Sequence, residues 1–258
     1  MKISIITVSF NAIKTIEQTI NSVLSQNYKQ IEYIIVDGAS DDGTIQLIQK
    51  YSSRIDIIIS EHDNGMYDAL NKGIRLATGD IIGILNSDDY FCNNNVLNDI
   101  AEKFCKNLQL DAIIGDVAFI NADNKIIRYC SGEKWNISKF KFGNMPPHPS
   151  FYCKTECFNK FGYYKTEYKI AGDFELLIRF FYINKINYSY ISIPMVYMRL
   201  GGLSTSGIRS IIIINQEIRN ALKINGISTN LFYLYSRYFR KIFELKFNLF
   251  SFKRASNR

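Results

Sequence analysis

Residues 3–9 run Ile, Ser, Ile, Ile, Thr, Val, Ser, and Asn11 ends the run, which predicts a first strand. Ile13, Ile16, Ile20, Val23 and Leu24 then recur at helical spacing, predicting a helix over 13–26 packed on one face of a sheet. A second apolar run, Ile31 to Val36, opens onto Asp37-Gly38-Ala39-Ser40-Asp41-Asp42-Gly43-Thr44. Those are loop and helix-start residues, with acids near a helix N-terminus where the dipole favours them. A helix over 44–51, a strand over 55–60, a helix over 66–77 and a strand over 81–86 follow. Strands alternating with helices of this length indicate a mostly parallel sheet. A helix over 94–106 then presents Val96, Leu97, Ile100, Ala101 and Phe104 on one side. Strand-like runs at 111–120 and 125–130 precede a loop-rich region from Trp135 through Pro146-Pro147-His148-Pro149. A helix over 173–183 carries the stripe Phe174, Leu177, Ile178 and Phe181, and strand-like segments 188–193 and 195–199 lead to two terminal helices. The pattern is a nucleotide-binding half followed by a half that holds something else.

The length, 258 residues, allows one large domain or a domain with an appendage. Hydrophobic content of 47% with 21% charged residues fits a globular protein with a substantial core. Cys92, Cys105, Cys130, Cys153 and Cys157 are scattered; only the last two are close, so free thiols in a reducing cytosol are expected rather than a zinc site. The N-terminus reads as a strand rather than a signal peptide, and no apolar run reaches the ~18–20 residues that span a bilayer. Charge is unevenly placed: of the net +7, residues from Asn230 onward supply seven cations against Glu244. The body is therefore close to neutral and unsuited to binding nucleic acid.

The stretch Gly79-Asp80-Ile81-Ile82-Gly83-Ile84-Leu85-Asn86-Ser87-Asp88-Asp89 delivers two adjacent carboxylates to the carboxyl end of a strand. Ligands gather at such ends in open α/β sheets. Two acids there suit a hard divalent cation, and Mg²⁺ or Mn²⁺ in turn suits a diphosphate. An acidic turn that merely ends the strand uses the same residues.

Four segments now stand in order after strands: Thr7-Val8-Ser9-Phe10-Asn11, the Asp37–Thr44 loop, Asn64-Gly65-Met66-Tyr67-Asp68-Ala69-Leu70-Asn71-Lys72-Gly73 on to Asp80, and Leu85-Asn86-Ser87-Asp88-Asp89. Together they resemble the family 2 glycosyltransferases of GT-A fold, above all the bacterial enzymes of colanic acid, capsule or O-antigen assembly. The resemblance covers roughly residues 1–200. It implies an α/β fold with a mostly parallel Rossmann-like sheet flanked by helices, an acceptor-side extension and C-terminal helices. A catalytic domain over 1–205, split into a nucleotide-sugar half (1–120) and an acceptor half (121–205), would precede a basic, aromatic extension over 206–258.

The resemblance also implies roles. Asp37 matches the family's nucleotide-binding acid, with Thr7, Ser9 and Asn11 lining the same pocket, and Asn71, Ser87, Asp88 and Arg199 join the donor site. Asp88 and Asp89 match the acidic metal motif, holding Mn²⁺ or Mg²⁺ against the diphosphate leaving group. The usual Asp-x-Asp begins here with Asn86, and the sequence leaves open which acid coordinates directly. Inverting displacement needs a base for the acceptor hydroxyl. The family's Glu-Asp pair falls on Gly172-Asp173, so Asp173 is the expected base, with helix capping as its structural alternative. His148 faces the acceptor or the metal, or is structural. Trp135 and the aromatics from Tyr163 to Tyr168 stack on sugar or pack the core.

Leu231, Leu234, Tyr235, Tyr238, Ile242, Leu245 and Leu249 recur at helical spacing among basic residues. Such a helix suits the inner face of an anionic membrane, or docking on the domain. The expected protein is a cytoplasmic, metal-dependent inverting enzyme, peripheral on the plasma membrane through 231–258. It would move a sugar from a nucleotide-diphosphate donor, UDP by default, to a glycan or lipid-linked acceptor. A sugar nucleotidyltransferase, which would want Gly and Arg after the first strand, and a silent nucleotide-sugar-binding module are the alternatives.

Overall fold

The computed structural model describes residues 1–201, 207–230 and 232–236. Most of the predicted tail and the segment after Gly201 therefore lie outside the described residues. Strands β1 (Ile3–Ser9), β2 (Ile31–Asp37), β3 (Ile57–Ser60) and β4 (Ile81–Ile84) pair in parallel in the order β3-β2-β1-β4. Helices α1 (Ile16–Leu24) and α2 (Thr44–Gln49) flank this part, and α3 (Met66–Leu76) follows β3. A parallel strand covered on both faces is buried at every position, and β1 is. Its polar members are accommodated by pairing: Ser4 Oγ donates to Glu32 at 2.5 Å, and the Thr7 hydroxyl meets Tyr33 Oη at 3.2 Å.

Beyond β4 the nine-stranded sheet becomes mixed. Strands β5 (Tyr90–Phe91), β6 (Ala112–Ile120), β7 (Ile126–Cys130), β8 (Tyr152–Lys154) and β9 (Tyr188–Arg199) complete it, in the order β4-β8-β6-β9-β5 with β7 on β6. Strand β8 runs antiparallel to both β4 and β6. A Cβ at Gly83 would lie 2.1 Å from the Tyr152 ring, so glycine on β4 is what lets β8 pack alongside. The two strand-like segments after 188 are one strand, β9. Pro194 sits within it where the pairing with β6 shifts register, a place where a missing N–H costs no ladder bond.

Helix α4 (Val96–Lys106) joins α1 in the core on one face of the sheet, with Ile16, Ile20, Val96, Ile100 and Phe104. The opposite face packs α3 against the second half, where α5 (Thr155–Phe161), α6 (Gly172–Leu177) and α7 (Ile208–Ile224) share one core. The helix predicted over 173–183 is α6 followed by a π-type turn, Ile178–Ile183. Ile218, Ala221 and Leu222 of α7 are buried with Phe174 and Leu177 of α6. Trp135 is 7% exposed among Phe140, Phe181 and Tyr188, so it packs the core.

Candidate active site

The carboxyl ends of β1 and β2 lie side by side, Ser9 opposite Asp37. Asp37 is fully buried, and its carboxylate accepts from Ser9 Oγ (2.9 Å), Ser40 N (2.9 Å), Ser40 Oγ (2.5 Å) and Ser60 Oγ (2.8 Å). Four donors fill the positions a carboxylate offers. Asp37 thereby ties β1, β3 and the β2–α2 loop together. Ser9 shares in that knot, and Thr7 is buried against Tyr33. Asn11 bridges the two loops, its N–H donating to Ser40 Oγ and its Oδ1 accepting from Asp41 N. Asp42 holds Thr44 and the Ile13 N–H. Beside this knot the ring of Phe10 is 67% exposed next to Gly38.

The turn after β4 is fixed from α1, whose Thr19 hydroxyl bridges the carbonyls of Ser87 (3.0 Å) and Asp89 (2.7 Å). Strand β5 then pairs antiparallel with β9, Tyr90 opposite Tyr197, and continuing that register sets Arg199 against Asp88. The guanidinium of Arg199 donates to the Asp88 carbonyl at 2.6 Å and to Gln18, and stacks over Tyr90 at 5.0 Å. Its backbone N–H reaches Asp89 Oδ1 at 3.3 Å. The two acids differ. Asp89 is 1% exposed, and its Oδ2 has no hydrogen-bond partner among the described residues. Burial and the Asp88 charge hold its carboxyl well above the ordinary value. Asp88 is half-buried; burial pushes its carboxyl up, and the nearby Arg199 and His148 charges pull it down.

His148 follows Pro146 and Pro147 in a loop fixed by Ser150, whose hydroxyl donates to the Gly115 and Pro147 carbonyls. It borders a narrow cleft with Asn86, Tyr164 and Asp173, over an apolar floor that includes Met66, Leu70, Ile84, Phe151 and Leu177. Asp173 stands in the first turn of α6, which has no side-chain cap of its own. Tyr67 Oη lies 3.4 Å from Asp173 Oδ2, Tyr164 lines the same cleft as Asp173, and the two tyrosine rings stack 5.3 Å apart. Burial, and then the Asp173 charge, push both phenols well above their ordinary value. Asn71 is buried, and its amide pairs with the Tyr164 backbone. Lys72 pairs with Glu61 on the solvent side of α3.

Sequence reasoning missed Tyr67, Gln18 and Thr19 as parts of this site, and it reached Tyr164 only within the run of aromatics from Tyr163 to Tyr168. Tyr67 lies inside the third motif, but nothing in helical spacing singles it out from Met66 or Leu70.

A Rossmann-like sheet with acids at the end of its fourth strand, facing a second half that supplies a carboxylate, defines a glycosyltransferase of GT-A fold. The profile of "Glycosyl transferase family 2" matches residues 4–166, and the chain belongs to that family. It is 29% identical over 181 residues to an uncharacterized glycosyltransferase of Mycobacterium tuberculosis (strain H37Rv), covering 69% of this chain and 68% of that protein. It is 41% identical over 90 residues to the putative teichuronic acid biosynthesis glycosyltransferase TuaG of Bacillus subtilis (strain 168), 34% of this chain and 36% of TuaG. Among solved structures it resembles residues 1–349 of S. aureus TarS in complex with UDP-GlcNAc, with a TM-score of 0.68 and 20% identity, covering 86% of this chain. The chain spans 66% of that TarS structure, and the likeness extends to the fold.

Proposed function

We propose that this chain is a metal-dependent, inverting glycosyltransferase of bacterial surface polysaccharide assembly. It takes its sugar from a nucleotide-diphosphate donor, UDP by default, and passes it to a hydroxyl of a glycan or lipid-linked acceptor. The observation that carries this reading is that Asp173 borders the same cleft as Asn86 at the end of β4. A base and a leaving-group site must flank one anomeric carbon for in-line displacement, and these residues supply the two sides.

Asp173 takes the proton of the acceptor hydroxyl as the new glycosidic bond forms. The stacked rings of Tyr67 and Tyr164 stand beside its carboxylate. The apolar floor excludes water that would compete with the acceptor. On the donor side, the half-buried Asp88 carboxylate would hold the metal directly, with the buried Asp89 next to it in the same turn. The donor set fits such an ion. Asp88 is raised by burial and Asp89 keeps an unpartnered oxygen, so the turn gains from a cation. Among the described residues no three His, Cys, Asp or Glu side chains form a cage. A cation here would use one or two carboxylates and fill its remaining positions with phosphate oxygens and water, the usual manner for Mg²⁺. When bound, it supplies Lewis-acid stabilisation of the departing diphosphate. Arg199, already at the turn, adds a positive charge near those phosphates. Phe10 offers an exposed ring beside the loops where the nucleotide would enter.

Among the described residues no helix is long and apolar enough to cross a membrane. The cations from Arg237 onward in the sequence support peripheral contact with an anionic cytoplasmic membrane surface, where a lipid-linked acceptor would be met. Release of nucleoside diphosphate from UDP-, GDP- and dTDP-sugars, with Mn²⁺ and with EDTA, tests the reading. Release confined to one nucleotide and lost with EDTA is the expected result. Release unaffected by EDTA removes the metal, and tight donor binding without turnover leaves a silent module.

A further inference from the structure

The amino end of α6 is held from outside the helix. The N–H groups of Lys169, Ile170 and Ala171 donate to the carboxylate of Glu217, on α7, at 2.7, 2.9 and 2.8 Å. The N–H of Gly172 donates to Tyr67 Oη at 2.9 Å. Tyr67 in turn donates to the Ile170 carbonyl at 2.8 Å. An aspartate at the start of a helix ordinarily spends its carboxylate on such N–H groups. Here the groups of this turn already have partners from α3 and α7.

The residue before Asp173 belongs to the same arrangement. A Cβ at position 172 would lie 2.6 Å from the Tyr67 ring, so the buried tyrosine and any side chain at 172 exclude one another. Gly172 is therefore the counterpart of Tyr67.

We propose that Tyr67 and Glu217 are positioning residues for Asp173: by taking the N–H groups of the α6 turn they leave its carboxylate directed into the cleft. The proposal rests on Asp173 being the base, and it makes α7 part of the active site. The charged and titratable groups around this turn include Tyr67 from α3, Tyr164 from the segment before α6, Glu175 with its partners Lys165 and Arg179, Glu217 from α7, and His148 across the cleft.

The test uses the full chain with Tyr67→Phe, which keeps the ring and the fold, and Glu217→Gln. In crystal structures of both variants the Asp173 carboxylate should turn back toward the N–H groups of its own turn. With the panel donor that is best turned over, kcat should fall about tenfold or more with donor KM unchanged, a share of the ~10²–10⁴ a general base contributes. A purely structural role would lower Tm and leave kcat alone. As a second check, Gly172→Ala should lower Tm in the native background and cost no more in a Tyr67→Ala background. An unmoved carboxylate with full kcat in Tyr67→Phe overturns the proposal. Full turnover in Asp173→Asn instead overturns the base assignment, and the crystal structures still decide the positioning separately.

Discussion

The side chain of Asn71 and the backbone of Tyr164 form a two-way clasp, Nδ2 donating to the Tyr164 carbonyl at 2.8 Å and Oδ1 accepting its N–H at 2.9 Å. Both partners are buried, and the clasp joins α3, which packs on the parallel strands, to the segment that lines the cleft. The same segment is anchored a second time through Arg179, which donates to the Phe161, Gly162 and Tyr163 carbonyls and pairs with the buried Glu175. Glu175 also pairs with Lys165 at 3.0 Å.

Asn71→Ala should therefore destabilise the protein by about 2–4 kcal/mol, because it strands a buried N–H and a buried carbonyl. Nucleotide affinity should change far less than stability. Urea unfolding paired with calorimetric titration of UDP decides between this and a donor-binding role, in which affinity would collapse while stability held.

Asp173→Asn preserves the shape of the base and removes its capacity to accept a proton. Donor KM should stay within about twofold while kcat falls ~10²–10⁴-fold. Steady-state kinetics with a glycan acceptor measure both, and a loss under tenfold would place the base elsewhere.

Asp88→Ala should abolish the Mn²⁺-dependent part of nucleotide binding, read by calorimetry with and without the metal. Asp89→Asn should weaken the same binding yet raise Tm at neutral pH. Burial holds the Asp89 carboxyl well above its ordinary value. A carboxyl raised in this way favours the fold while protonated and costs stability once pH exceeds its unfolded value near ~4. The asparagine removes that cost, so the Tm gain should shrink as pH falls toward 4. A variant less stable than the parent at neutral pH would contradict the assignment.

Glu32, below the amino ends of β1 and β4, gives the opposite pH dependence. Burial raises its carboxyl, but hydrogen bonds from Lys2, Ser4 and Thr78 outweigh this and lower it to about 2 from 4.5. A depressed carboxyl contributes stability that is complete above the unfolded value and fades as pH falls through the folded one. Glu32→Gln should cost about 2–3 kcal/mol at pH 7 and progressively less between pH 4.5 and 2. Denaturant melts across that window are the check, and a cost independent of pH would refute it.

By itself the sequence determined the parallel half and the order of its strand-end loops. Those rest on local regularities: apolar runs of strand length, helical spacing in α1, α3 and α4, and polar segments after each strand. Asp88 and Asp89 are legible in the same way, as acids at a strand end, whereas Asp173 is legible only through the resemblance to the family's Glu-Asp pair. Tertiary structure alone decided which side chains serve the site. Arg199 reaches Asp88 across 111 positions because β5 pairs with β9. Asn71 turns to Tyr164 across 93, and Tyr67 takes the Gly172 N–H across 105. Packing of β1 against β2 and β3 buries Asp37 and Thr7. Periodicity records which face of an element is apolar. Which distant backbone a polar side chain meets on that face depends on how the elements dock, and no local pattern carries that information.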